Sequence, residues 1–168
     1  MSQLLDFYRG DGTDSEGRRF DAILAWCDDD LEQVHDYIQW LFPLPTPSNF
    51  NPDAPLLTDA DVAAFQAEPA LRDRLRWAFR RFLTFLGLHL ADDGRVIDGP
   101  NFAARAPDVW AYFNHNWLRV TRVLTSLHLL GLTAESRAFF DWLTDAHDRD
   151  RFPFPDNTFR HWTNAARN

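Results

Sequence analysis

Lysine is absent from the 168 residues, so all 17 basic side chains are arginine, and cysteine and methionine occur once each. An Arg-only basic set fits the coding bias of a GC-rich, bacterial genome better than a functional choice. The single cysteine, Cys27, excludes an intramolecular disulfide and any multi-cysteine metal site, and it fits a reducing compartment such as the cytoplasm. Beside three aspartates its thiolate is disfavoured, which marks Cys27 as a small core residue rather than a nucleophile. Net positive charge is lacking too. The formal net charge is -8 and the pI about 5.1, which argues against a general affinity for nucleic acid or anionic lipid, since both need clustered positive charge. Long apolar runs are missing: Val123 to Glu135 is well short of the roughly 20 residues a spanning helix needs, so no integral membrane segment is expected. The N-terminal MSQLLDFYRGD carries Asp6 and Arg9 and no apolar stretch of a secretory signal. No Gly-rich phosphate loop, G-x-S-x-G, H-E-x-x-H or EF-hand pattern occurs, and no cofactor or metal is called for. The oligomeric state is not legible.

What is present is apolar and aromatic. With 45% hydrophobic and 15% aromatic residues, including Trp 7 and Phe 15, the chain is long enough for one well-packed domain, 1–168, with a bulky core. Apolar spacing is mainly helical. Phe20, Ile23, Leu24 and Cys27 mark one helix. Asp28, Asp29 and Asp30 then stop it and open the next, where Leu31, Val34, Ile38 and Leu41 form a buried stripe that ends at Pro43. Prolines 43, 45, 47, 52 and 55 exclude helix and central strand up to Leu57, leaving an ordered strap. Thr58 with Asp61 resembles a weakened capping box for a short helix through Phe65. Pro69 starts a helix from Ala70 to Leu86 with Leu71, Leu75, Phe79, Phe82 and Leu86 buried and Gly87 as its stop. The opposite face carries Arg72, Arg76, Arg80 and Arg81. It reads as a solvated face with local acidic partners, although it could meet an acidic partner.

Downstream, the Asp93-Gly94 pair between short apolar pieces predicts a small hairpin over His89 to Ile97. Asp108 is expected to cap the longest helix, running through Trp110, Phe113, Trp117, Val120, Leu124 and Leu127 to Gly131, apolar almost all round and therefore central. Thr133 caps a helix to about Ala146 with Phe139, Phe140, Trp142 and Leu143 buried, and FPFPDNTFRHW leads into a last helix. The expected fold is all-α: one orthogonal helical domain of about six to eight helices around a central helix, with a Pro-rich strap and at most one small β-hairpin.

Polar residues interrupt two of these helices. His115, Arg119, Arg122 and Ser126 recur at i, i+4, i+7 and i+11, one line along an otherwise apolar helix. Glu32, His35 or Asp36, and Gln39 form a similar line upstream, and the two lines could face each other. One reading is a buried network in which Glu32 and Asp36 neutralise Arg119 and Arg122, while His35, Gln39, Asn114 and Asn116 tie the strap down. The other leaves the guanidiniums at a cleft, to grip a carboxylate or phosphate. The His35-Asp36 pair superficially resembles the HD dyad of metal phosphohydrolases, but no histidine precedes it to complete such a site.

Four blocks carry a family resemblance. Phe7-Tyr8-Arg9-Gly10, Leu31-Glu32-x-x-His35-Asp36-Tyr37-Ile38-Gln39-Trp40-Leu41-Phe42-Pro43, Pro47-Ser48-x-Phe50-Asn51, and His115-Asn116-x-Leu118-Arg119-x-Thr121-Arg122 resemble, in order, the conserved region of the opioid growth factor receptor family. The resemblance covers nearly the whole chain. It implies kinship with animal receptors for an enkephalin peptide that act on growth and associate with nucleus and membranes, unrelated to the seven-helix opioid receptors. The chain is expected to be a short bacterial form, without their C-terminal repeats and basic targeting segments. The resemblance supplies no ligand contacts, so the candidate site rests on the polar lines. A peptide or small anionic ligand would be held by His35, Gln39, Asn49, Asn51, His115, Asn116, Arg119 and Arg122. The alternatives are a protein-interaction scaffold without a pocket, and a hydrolase using His35 or His115 as acid or base.

Overall fold

In the computed structural model, which describes residues 2–167, the helices come in the order expected but break where a neighbour supplies better hydrogen bonds than the helix would. By internal contacts the chain divides into two units, residues 1–78 and 79–168.

The first unit is built from short helices and pinned loops. Its helices are α1 (Gln3–Arg9), α2 (Phe20–Leu24), α3 (Asp28–Gln33), α4 (Ile38–Leu41), α5 (Asp59–Ala67) and the first half of α6 (Pro69–Phe85). Phe7, Tyr8, Phe20, Trp40 and Phe65 make the core, each 1% exposed or less. Their rings meet mostly edge-on, with centroids 4.9 to 5.5 Å apart for the pairs Tyr8–Phe65, Phe7–Trp40 and Phe7–Phe20, the geometry favoured by the aromatic quadrupole. The capping box of α5 is complete: the Thr58 hydroxyl accepts from the Asp61 amide and the Asp61 carboxylate accepts from the Thr58 amide. The strap closes on itself, because Leu44 bridges Leu56 and its carbonyl accepts from the Leu57 amide at 3.0 Å.

Two expectations fail in this unit. The helix predicted from Leu31 to Leu41 is interrupted, since Val34 is extended (φ -87, ψ 132) and α4 restarts at Ile38. The turn between them is held from outside the helix. The Tyr37 hydroxyl donates back to the Leu31 carbonyl at 2.9 Å, and Arg18 draws the Asp36 carboxylate out at 2.8 Å. Against that, the intrinsic helix preference of Val, His and Asp is small. Cys27 is exposed rather than in the core, its thiol 3.2 Å from an Asp30 carboxylate oxygen, because the helix it was assigned to ends at Leu24.

The second unit is built from long helices. After α6 come a hairpin of β1 (Leu88–Leu90) and β2 (Val96–Asp98), then α7 (Phe102–Val109), α8 (His115–Leu129), α9 (Thr133–Asp148) and α10 (Asp156–Arg167). The hairpin pairs His89 with Ile97 antiparallel and turns at Gly94, φ 85, as its Asp-Gly signal requires. Gly87 ends α6 at φ 82, where a Cβ would sit 3.0 Å from that of Arg105 and 3.1 Å from the Phe102 backbone, so both conformation and space demand glycine. Helix α8 packs against α9 and α10. Trp110, Trp117, Trp162, Phe139 and Leu143 are buried around them.

Here too a predicted helix starts elsewhere. Asp108 lies inside α7, an unanticipated helix, and α8 begins only at His115. Pro107 removes one internal hydrogen bond from α7, and Asn114 makes a better cap than Asp108. Its side chain accepts from the Asn116 amide at 2.9 Å and donates to the carbonyls of Val109 and Tyr112 at 2.9 and 2.8 Å. At 15 residues α8 is shorter than α6, with 17, and α9, with 16. Nor is it buried all round, since Leu118 is 53% exposed. Thr133 is the first residue of α9 rather than its cap, and Phe140 is half-buried. The all-α class with one small hairpin holds, and the two breaks together with α1, also unanticipated, bring the helices to ten among the described residues instead of six to eight.

Candidate functional site

The four candidate residues of the first unit fall on the interrupted turn (His35), on α4 (Gln39) and on the strap (Asn49 and Asn51), not on one helical face. Gln39 is buried at 4% exposure. With its amide nitrogen turned toward the chain, it donates to the carbonyls of His35 at 3.3 Å and Asp36 at 3.1 Å. Asn51 donates to the same Asp36 carbonyl at 3.3 Å. Gln39 and Asn51 therefore converge on one backbone oxygen, and Asn51 ties the strap to the turn. His35 and Asn49 are exposed. Beside Asn49, Phe50 is 82% exposed, its amide donating to the Ser48 hydroxyl. Asp36 pairs with Arg18, which also holds the buried Asp14 carboxylate at 2.6 Å. Burial works against the Arg18 charge, but its hydrogen bonds to Asp36 and Asp14 outweigh this and raise its pKa.

The four candidates of the second unit do share one helix. His115, Asn116, Arg119 and Arg122 all belong to α8, with His115, Arg119 and Arg122 on successive turns of one face. Arg119 is only 5% exposed. Its guanidinium donates to the Asn116 side-chain oxygen at 3.3 Å and lies 6.0 Å from the centre of the Phe85 ring. His115 and Arg122 are half-buried. Burial pushes the Arg122 pKa down from the usual arginine value, the signature of a cation held where water solvates it poorly. Ser126, at the end of the line, is fully buried.

An open depression of about 480 Å³ lies elsewhere in this unit, lined by Ala103, Ala106, Pro107, Ala111, Phe152 and Pro153, with Arg151 at its side. The Arg151 guanidinium is already committed to Asp98, at 2.7 Å, and packs against the rings of Phe102, Trp142 and Phe152. Among the described residues no group of three or more His, Cys, Asp or Glu is placed to hold a metal ion. None of their helices is long and apolar enough to cross a membrane.

Trp77 escaped the sequence reading. It is 52% exposed on α6, off the buried stripe and next to Arg76. Its position between the arginines was the available signal.

The class of protein follows from sequence comparison. Residues 4–145 match the family described as the opioid growth factor receptor (OGFr) conserved region, and the chain belongs to that family. Among curated relatives, it is 43% identical over 116 residues to the rat opioid growth factor receptor and 40% identical over 117 residues to the human one, in each case across 67% of this chain. It is also 38% identical over 105 residues, 60% of the chain, to opioid growth factor receptor-like protein 1 of Xenopus tropicalis. The match takes in only 20%, 17% and 20% of those three proteins. No solved structure matches this chain.

Proposed function

We propose that the chain is a binding module for a small anionic ligand or the acidic end of a peptide, gripped by the cationic line of α8. The observation that carries this reading is the pair Arg119 and Arg122, one turn apart on one face, with Arg119 almost wholly withdrawn from water and burial depressing Arg122. Two guanidiniums one turn apart suit a carboxylate or phosphate through paired N–H groups. His115 would add a third donor, and Asn116 would orient Arg119. The receptor names of the relatives also favour recognition over catalysis. A cytoplasmic setting belongs to the same reading.

The polar groups of the first unit fit a second role. Gln39 and Asn51 both end on the Asp36 carbonyl, which favours a scaffold function for that part of the sequence rather than ligand contact. His35 and Asn49, whose side chains reach solvent, are the two there that a ligand could meet.

Thermal melts with phosphate, citrate, nucleotides and short peptides test the proposal. A ligand should raise the Tm of the wild type and fail to raise that of Arg122→Gln, whose unliganded Tm stays close to the wild type. If Arg122→Gln instead costs about 3 to 5 kcal/mol, as when one member of a buried pair is removed, and no compound shifts the wild type, the arginines serve the fold and the proposal falls.

A further inference from the structure

Helix α6 reverses the charge of the protein. The chain as a whole carries -8, yet the 17 residues PALRDRLRWAFRRFLTF hold five arginines against one aspartate. Three of those arginines have local partners. Arg72 donates to the carbonyls of Phe65 and Gln66 at the end of α5, Arg74 pairs with Asp21 at 3.1 Å, and Arg76 pairs with Asp73 at 2.8 Å. Arg80 is different: it is exposed and its guanidinium makes no hydrogen bond or ion pair among the described residues. It stands three residues after Trp77 and four after Arg76, so on this continuous helix the three side chains are neighbours.

Trp77 makes the face more than a solvated charge run. Leu71, Leu75, Phe79, Phe82 and Leu83 of α6 are at most 3% exposed, while Trp77 is 52% exposed. Leaving half an indole in water forfeits burial that the same helix achieves at every stripe position. Tryptophan and arginine are also the residues over-represented where partner proteins anchor. Arg76 and its exposed partner Asp73 are a weak pair, easily exchanged for an incoming carboxylate.

We propose that the Trp77–Arg80 face of α6 docks an acidic segment of another protein, one that presents carboxylates to Arg80 and Arg76 and an apolar side chain to Trp77. Charge complementarity argues for this occupant. A carboxylate-rich segment is drawn to the positive helix, whereas a nucleic acid, whose phosphates extend well beyond the contact, would meet the repulsion of the surrounding acidic protein. This surface is independent of the α8 line.

The test uses fluorescence anisotropy with a fluorescein-labelled synthetic peptide rich in Glu, with Leu at every third or fourth position. Its companions are a twin with Gln for every Glu and a labelled single-stranded oligodeoxynucleotide. The Glu peptide should bind the wild-type chain saturably, more weakly as salt is raised, and at least ten-fold more tightly than the Gln twin. Arg80→Glu and Trp77→Ser should each weaken it ten-fold or more with Tm unchanged, and Arg80→Gln should give a smaller loss. Arg122→Gln should bind it like the wild type, which separates this surface from the α8 site. The proposal is overturned by absent saturable binding, by unchanged affinity in the Arg80 and Trp77 variants, or by an oligonucleotide that binds as tightly and loses affinity in the same variants.

Discussion

The two units hold their tryptophans differently. In the second, every indole N–H has a partner: Trp110 donates to the Leu86 carbonyl at 2.9 Å, Trp117 to Val109 at 2.8 Å, Trp162 to Trp117 at 3.2 Å, and Trp142 to the Asp98 carboxylate at 2.9 Å. In the first, Trp40 is 1% exposed and its N–H is buried without a hydrogen bond, while Trp77 points to water. Side chains tie backbone groups in both units, with Asn101, Arg105 and Asn114 doing so at helix ends in the second. The first unit's short helices leave many loop amides and carbonyls to satisfy, and charged or amide side chains do it: Asp14 accepts from the amides of Glu16 and Arg18, and Gln39 and Asn51 serve the Asp36 carbonyl. The second unit's longer helices satisfy most of their own backbone, and its buried polar side chains, Asn116, Arg119, Ser126 and Ser136, all lie on α8 or α9. A buried polar residue thus means different things in the two regions. Where helices are short it ties loop backbone together, and where they are long it links helix side chains or a helix carbonyl, as Asn116 does for Arg119 and Ser136 for Leu124.

Truncating one tryptophan in each unit gives the largest effect. Trp40→Ala and Trp110→Ala should each cost about 3 to 5 kcal/mol in denaturant melts, as for buried aromatics in tight cores. Replacement by phenylalanine should then separate the units. Trp110→Phe leaves the Leu86 carbonyl without its donor, whereas Trp40→Phe removes only an unsatisfied one. Trp110→Phe should therefore be the worse of the two by about 1 to 2 kcal/mol. Equal losses would erase the contrast.

The next comparison is between polar ties. Asp14→Ala removes three hydrogen bonds, from the amides of Glu16 and Arg18 and the Arg18 guanidinium, and should cost about 2 to 3 kcal/mol. Ser136→Ala removes one, from its hydroxyl to the Leu124 carbonyl at 2.9 Å. That carbonyl lies inside α8, where the helix already supplies a donor, so about 1 kcal/mol or less is expected. If Ser136→Ala proves as costly as Asp14→Ala, side-chain ties matter equally in both units.

The smallest effect is a pH dependence confined to the first unit. Burial raises the Asp61 carboxyl, but hydrogen bonds from the Ser2 hydroxyl and from the Thr58 hydroxyl and amide outweigh it, leaving the pKa below the ordinary 3.8. A carboxylate with its pKa lowered by folding stabilises the protein above the unfolded value, and the contribution fades as pH falls through the folded one. Asp61→Asn should lose about 1 kcal/mol at neutral pH, in the range of a helix cap. Its deficit relative to wild type should shrink as pH drops from about 4. A constant deficit would mean that the carboxylate's charge plays no part.

Much of the fold was legible because its signals are local. The Asp93-Gly94 turn, the Thr58 and Asp61 cap, Pro69 at the start of α6 and Gly87 at its end each depend on a residue's own backbone preference. The buried stripe of α6 depends only on periodicity. The two candidate sets fared unequally for the same reason. His115, Arg119 and Arg122 remain one line because α8 is continuous through them, while Glu32, His35 and Gln39 do not, because the spacing rule assumed a helix that Val34 leaves.

The sequence by itself determined the family, the helical class, the hairpin and most helix ends, since these rest on local preference and on a long apolar pattern. Tertiary structure alone decided the breaks at Val34 and Trp110, the exposure of Cys27, Leu118 and Trp77, and which polar groups stay within the fold. Continuing a helix through Val, His and Asp, or stopping it, differs by only a few tenths of a kcal/mol per residue. A hydrogen bond from a residue far along the chain contributes about 1 kcal/mol, so Arg18 on the Asp36 carboxylate and Asn51 on its carbonyl outweigh the local preference.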